Sequence, residues 1–89
     1  MKVETTAPFR RALKSLSEPD FGLVSKALLK LPETFGHPHA HVGLRKLRGA
    51  FYELRAGLAL RILFRRDADT LTLLVLGTHD EIKRFLAQL

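Results

Sequence analysis

The sequence contains no cysteine, no tryptophan and no long hydrophobic run. Without cysteine it can form neither a disulfide nor a thiolate site, which excludes a disulfide-stabilised secreted mini-protein. The longest apolar stretch, near Leu71 to Leu76, is far short of the roughly 20 residues of a membrane-spanning helix, and the first residues lack the apolar core of a secretory signal. We therefore expect a cytoplasmic protein with no membrane partner. The absence of repeats and linkers in 89 residues predicts one domain over residues 1–89.

Acidic residues are scarce in the middle of the chain, where the excess positive charge lies. The chain has 15 Lys and Arg against 9 Asp and Glu, a formal net charge of +6. Residues 43–66 contain seven basic side chains, six of them arginine, and one acidic side chain, Glu53, so this segment alone has a net charge of +6. Because a guanidinium group can bind two phosphate oxygens at once, this composition favours a nucleic acid or another polyanion as partner. A solvated basic face without a ligand would have the same composition.

Two helices are predicted in the first third of the chain. Apolar residues recur every three or four positions from Phe9 to Leu16, after a possible cap at Thr6, and again from Phe21 to Leu31. A polar Ser-Glu-Pro-Asp turn separates the two runs. We expect the second helix to end at Pro32 and residues 32–42, which contain two prolines and a glycine, to form a loop. This part of the chain therefore predicts a helical hairpin.

Strands follow, with a last helix after them. In the run from Leu60 to Arg65, apolar Leu60, Ile62 and Phe64 alternate with Arg61 and Arg65, which a strand would place on the opposite face. The run from Leu71 to Leu76 is apolar at nearly every position, as in a strand covered on both faces. Thr78 and Glu81 have the spacing of a capping box and predict a C-terminal helix.

The predicted fold class is α+β. An N-terminal helical hairpin packs on a small antiparallel sheet of three to four strands, with a short C-terminal helix. The fourth strand would be the short segment Lys2 to Thr5. We expect the helices on one face of this sheet and the arginines on the other.

Three segments resemble the RelE/ParE superfamily of type II toxin–antitoxin toxins. They are Leu47-Arg48-Gly49 with Tyr52-Glu53-Leu54-Arg55, then Leu60-Arg61-Ile62-Leu63-Phe64, and finally Leu74-Val75-Leu76-Gly77-Thr78-His79-Asp80-Glu81. The resemblance covers almost the whole chain, and its order of elements is that of the RelE-like fold. Some members of this superfamily cut messenger RNA on the ribosome, whereas the ParE branch attacks DNA gyrase.

The resemblance implies a catalytic site without metal or cofactor. Arg61 falls where the nucleases have the arginine that holds the scissile phosphate, and His79 falls where many members have a His or Arg near the catalytic centre. Glu53 is the third catalytic candidate, as a general base or as the anion that offsets arginine repulsion. Each has a simpler alternative: Arg61 could only pair with Glu53, and His79 could be an ordinary first-turn residue. The candidate RNA-binding residues are Lys46, Arg48, Arg55, Arg65 and His41.

This chain departs from the nuclease branch at several positions. Phe51 and Glu53 occupy the positions of the RelE lysine pair, and Phe85 corresponds to the tyrosine of the last helix. Where some members have a glutamate base, the nearest residue is His41. The alternating His37, His39 and His41 could suggest a metal, but no Cys or carboxylate with ligand spacing accompanies them, so we predict none.

The resemblance also implies partners. They are a cognate antitoxin protein, messenger RNA on the ribosome, and operator DNA only as a complex with the antitoxin. The alternative functions are a ParE-like toxin that acts on DNA gyrase without nuclease activity, and a catalytically degenerate relative that only binds its antitoxin.

Overall fold

The structure is a computed structural model that describes residues 2–36 and 43–89, with side chains for residues 2–32 and 43–89. Three helices and five strands lie within these ranges. In chain order they are β1 (Lys2–Thr5), α1 (Ala7–Lys14), α2 (Glu18–Gly36), β2 (Leu44–Arg48), β3 (Phe51–Ala56), β4 (Leu60–Asp67), β5 (Thr70–Gly77) and α3 (His79–Ala87). The predicted α+β class and helical hairpin are confirmed.

The sheet has five strands in the order β1-β5-β4-β3-β2. This corrects the predicted three to four antiparallel strands in two ways. The sheet is mixed, because β1 pairs with β5 in parallel at one edge. In addition, β2 forms a hairpin with β3 at the other edge, through a turn that contains Gly49 at φ 52°. Short edge strands carry weak patterns of their own, which is why the sequence predicted too few of them.

The main core lies between the helical hairpin and one face of the sheet. Phe9 of α1 and Val24 and Leu31 of α2 are buried there against Ile62 and Phe64 of β4. Thr6 caps α1 by accepting a hydrogen bond from the backbone of Phe9, as predicted. Burial of this apolar surface is the main force that holds the hairpin to the sheet.

Helix α2 does not end at Pro32, as we had predicted; it continues to Gly36. A proline inside a helix removes one backbone hydrogen bond and crowds the preceding turn, at a cost of about 3 kcal/mol. The preceding residue, Leu31, is fully buried in the core. Burial of Leu31 stabilises this part of α2 and outweighs the local effect of the proline.

Helix α3 lies against the other face of the sheet, where it contacts β4 and β5. Leu63 alternates with the core residues Ile62 and Phe64, yet it is fully buried, as is Ile82 of α3. Arg48 of β2 donates a hydrogen bond to the backbone carbonyl of Leu86, at the end of α3. The expectation that all helices lie on one face is therefore wrong for α3, and we call the face that it partly covers the second face.

Within the described ranges, no helix combines the length and the apolar character needed to cross a membrane.

Candidate functional site

A buried carboxylate on the second face joins two of the predicted catalytic residues. Glu53 of β3 is 8 % exposed and is the one buried charged residue among those that the structure describes. Its Oε1 lies 3.5 Å from Nε of Arg61, and its Oε2 lies 3.7 Å from Nδ1 of His79. We call these three residues the Glu53 cluster. Residues from β3, β4 and α3 thus meet at one point, although they are separated in sequence.

Arg61 is held from several directions. Its side chain is 14 % exposed. Nη1 donates hydrogen bonds to the backbone carbonyls of Leu58, at 3.1 Å, and Leu60, at 3.0 Å, while Nε faces Glu53. None of the described residues accepts a bond from Nη2, so two of the five guanidinium N–H donors remain available to a ligand.

His79 is positioned by the start of α3. Thr78 and Glu81 form the predicted capping box: the Glu81 backbone N–H donates to the Thr78 hydroxyl at 3.2 Å, and the Thr78 N–H donates to the Glu81 carboxylate at 3.0 Å. A side chain at Gly77 would lie 2.9 Å from that carboxylate, so glycine leaves room for the cap. The fixed helix start directs His79 toward Glu53 while leaving the imidazole 54 % exposed.

Arg55 lies directly opposite Arg61 in the β3–β4 ladder. Like charges in directly opposed positions of a sheet repel each other. Glu53 offsets the charge of Arg61, but within the described part of the chain no acidic group pairs with the exposed Arg55. An anion bound between the two guanidinium groups would remove the repulsion. This pair of opposed arginines, which we call the Arg55–Arg61 row, is therefore suited to bind a phosphate.

The other predicted RNA-binding residues divide between the two faces. Arg65 lies on the second face but pairs with Asp67 through its Nε at 2.7 Å, and Arg48 is bonded to α3. Lys46 is in register with Tyr52, whose ring stacks on Phe64 on the core side, so it does not share the face of the Glu53 cluster. His41 lies outside the described residues, as do His37 and His39. The RNA-binding roles stay predictions.

Sequence reasoning missed Arg45. This exposed cation lies on β2 directly opposite Glu53, and it borders a shallow cavity of about 270 Å³ between β2 and α3. The cavity lining also includes Arg48 and Leu86. Recognition of β2 as a strand paired with β3 would have placed Arg45 on the second face.

The arrangement brings together two kinds of group that metal-free phosphate chemistry uses, cationic donors for phosphate oxygens and a proton acceptor. Arg61 and Arg55 offer donors for phosphate oxygens. His79 offers an imidazole, whose ring nitrogens can donate or accept a proton. In the described parts of the chain, no three His, Cys, Asp or Glu residues are grouped closely enough to hold a metal ion.

Several solved structures of toxins have the same fold. A metal-bound toxin from Helicobacter pylori is 26% identical, with a TM-score of 0.69, over 92% of this chain and 98% of that chain. YafQ from E. coli strain BL21(DE3) is 12% identical with a TM-score of 0.72, over 91% and 96% of the two chains. A chain of the archaeal RelE–RelB complex from Pyrococcus horikoshii OT3 is 19% identical with a TM-score of 0.68, over 86% of this chain and 92% of that chain.

These similarities define the class of fold as that of the RelE, YafQ, YoeB and ParE toxins. The RelE-like fold that the sequence motifs implied is thereby confirmed. No protein-family profile and no curated protein sequence matches the chain.

Proposed function

We propose that this protein is the toxin of a type II toxin–antitoxin system and that it inhibits translation as a metal-free, cofactor-free endoribonuclease acting on messenger RNA at the ribosome. The fold shared with toxins supports the first part. The second part is carried by one observation: Glu53 joins Arg61 and His79 within 3.7 Å, beside Arg55, which has no ion-pair partner among the described residues.

The proposed reaction uses the 2′-hydroxyl of the RNA as nucleophile. His79 takes the proton of this hydroxyl, and the 2′ oxygen forms a bond to phosphorus. The bond from phosphorus to the 5′ oxygen then breaks, that oxygen takes up a proton from water, and the hydroxide that remains takes the proton from His79. Arg61 and Arg55 stabilise the negative charge that develops on the phosphate oxygens. The products are a 2′,3′-cyclic phosphate and a free 5′-hydroxyl.

The proposed partners follow from the charge of the second face. Messenger RNA would occupy it during cleavage, and a cognate antitoxin would inhibit the toxin by covering it with an acidic or amphipathic segment. Operator DNA would be bound only by the complex with antitoxin. A target on the ribosome places the action in the cytoplasm. Two of the similar solved structures, RelE–RelB and DinJ–YafQ, are toxin–antitoxin complexes, which supports an antitoxin as partner.

The nuclease proposal is tested by expression under tight control, with transcript ends mapped during growth arrest. Wild type should produce new ends with a 5′-hydroxyl, whereas Arg61→Ala and His79→Ala should produce few or none. Arg11→Ala is the matched control, because it removes the same charge from an exposed position on α1, away from the second face. Equal growth arrest in all four proteins, without new ends, would contradict the nuclease proposal.

The alternative is a toxin that acts on DNA gyrase or a relative that only binds its antitoxin. One observation favours it: Phe51 and Glu53 occupy the positions of the RelE lysine pair, and Phe85 the position of its tyrosine. Inhibition of gyrase supercoiling by purified protein, with transcripts intact, would select the gyrase toxin.

A further inference from the structure

We propose that Glu53 is a positioning residue that sets the protonation pattern of His79 and the orientation of Arg61. This role rests on the proposed function and deepens it. Glu53 does not itself remove the proton of the nucleophile; it prepares the two groups that touch the RNA.

The geometry at His79 carries the first part of the proposal. An ionised carboxylate can only accept hydrogen bonds, so the ring nitrogen that faces Glu53 is the one that bears a proton. That nitrogen is Nδ1, which lies 3.7 Å from Oε2, within ion-pair range and a small side-chain movement from a hydrogen bond. In a neutral imidazole, a proton on Nδ1 leaves the lone pair on Nε2. Nε2 is therefore the atom that accepts the proton from the RNA.

The second part concerns Arg61. Its Nε faces Oε1 of Glu53 at 3.5 Å, and its Nη1 is bonded to the carbonyls of Leu58 and Leu60. These contacts fix the plane of the guanidinium group, and no described residue accepts a hydrogen bond from Nη2. A fixed donor costs no reorganisation when charge develops on the phosphate.

The position of Glu53 also argues against a direct catalytic role. Each of its two oxygens faces a cationic or ionisable partner, and its side chain is 10 % exposed. Cationic or ionisable residues from four elements surround the carboxylate. They are Arg45 on β2, Arg55 on β3, Arg61 on β4 and His79 on α3. Any 2′-hydroxyl would meet the more exposed His79 before it reached the carboxylate.

Nitrogen-15 NMR of the imidazole rings, at a pH where they are neutral, tests the proposal without any RNA. The signals of His79 are assigned by their loss in His79→Gln. Wild type should have the proton on Nδ1, and Glu53→Gln should move it wholly or partly to Nε2. A wild-type ring protonated on Nε2, or unchanged ring signals in Glu53→Gln, would overturn the proposal. If Glu53→Gln does not fold, the wild-type spectrum decides alone.

Cleavage kinetics provide a second measurement. Glu53→Gln should lower kcat by about tenfold or more with little change in KM for RNA. The factor should be smaller when His79 is already alanine, because the part of the effect that acts through His79 is then absent. An equal loss in both backgrounds would make Glu53 an independent catalyst and overturn the proposal. If wild type cleaves no RNA, the proposed function fails, while the ring spectrum still decides the role of Glu53.

Discussion

Replacement of Arg55 by alanine should weaken RNA binding in a way that depends on salt. Each phosphate contact to a single strand contributes about 0.7 to the slope of log K against log of salt concentration. Arg55 is exposed and has no ion-pair partner among the described residues, so it can give a full contact. The slope should therefore fall by about 0.7, and the affinity at about 0.1 M salt should fall about fivefold.

Arg65 should behave differently, although it lies on the same face. Its Nε is 2.7 Å from Asp67, and RNA must compete with this carboxylate for the guanidinium group. We expect Arg65→Ala to change the slope by less than about half as much as Arg55→Ala.

The assay is fluorescence anisotropy with a 2′-O-methylated oligonucleotide, which lacks the nucleophile and stays intact. Arg11→Ala on α1 removes the same formal charge and controls for the net charge of the protein. Its slope should equal that of wild type. If Arg55→Ala and Arg11→Ala gave the same slope, RNA would not lie on the second face, and the reasoning from the Arg55–Arg61 row would fail.

Of three further predictions, two concern the stability of the elements around the site and one concerns the chemistry of Arg61. Gly57→Ala should lower the free energy of unfolding by about 2–3 kcal/mol and Gly49→Ala by about 1–2 kcal/mol, measured by thermal unfolding. Both glycines have a positive φ, but only a Cβ at Gly57 would meet Leu23, at 2.8 Å. Equal losses of stability would mean that Leu23 moves aside freely. Thr78→Ala should lower stability by about 1 kcal/mol, a fall in Tm of about 4–8 °C, through loss of the α3 cap; an unchanged Tm would show that the cap is dispensable. Arg61→Lys keeps the positive charge but loses the planar guanidinium group with its paired N–H donors. The rate of RNA cleavage should therefore fall at least about tenfold while stability stays at the wild-type level. Full cleavage activity in this variant would show that the paired donors are not needed.

Much of the site could be predicted because it depends on short-range rules. Alternation along β4 places Arg61 on the face opposite Ile62 and Phe64, and the structure has it there. The capping-box spacing at Thr78 predicted the start of α3 and hence the position of His79 in the fold. Both rules need only a few neighbouring residues, since the backbone geometry of a strand or a helix start fixes where the side chains lie.

The errors arise where contacts between distant segments decide the structure. The parallel pairing of β1 with β5 joins Lys2 to Thr70, and no local pattern in either strand indicates it. The continuation of α2 past Pro32 depends on Leu31 being buried in the core. In both cases tertiary packing overrides the local preference of the sequence.

Two β-bulges explain why alternation alone misplaces residues on β2 and β5. On β2 the register shifts between Lys46 and Arg48, so Leu47 is the extra residue, and Arg45 and Arg48 lie on the same face although they are three positions apart. On β5 the register likewise skips Leu74, which brings Leu73 and Leu76 into the same core. A bulge reverses the parity of every later side chain in its strand. The bulge at Leu47 thus places Arg48 beside α3, on the same face as Arg45 and Glu53. Under a strict period of two, Arg45 and Arg48 would lie on opposite faces, and only one of them would reach the second face.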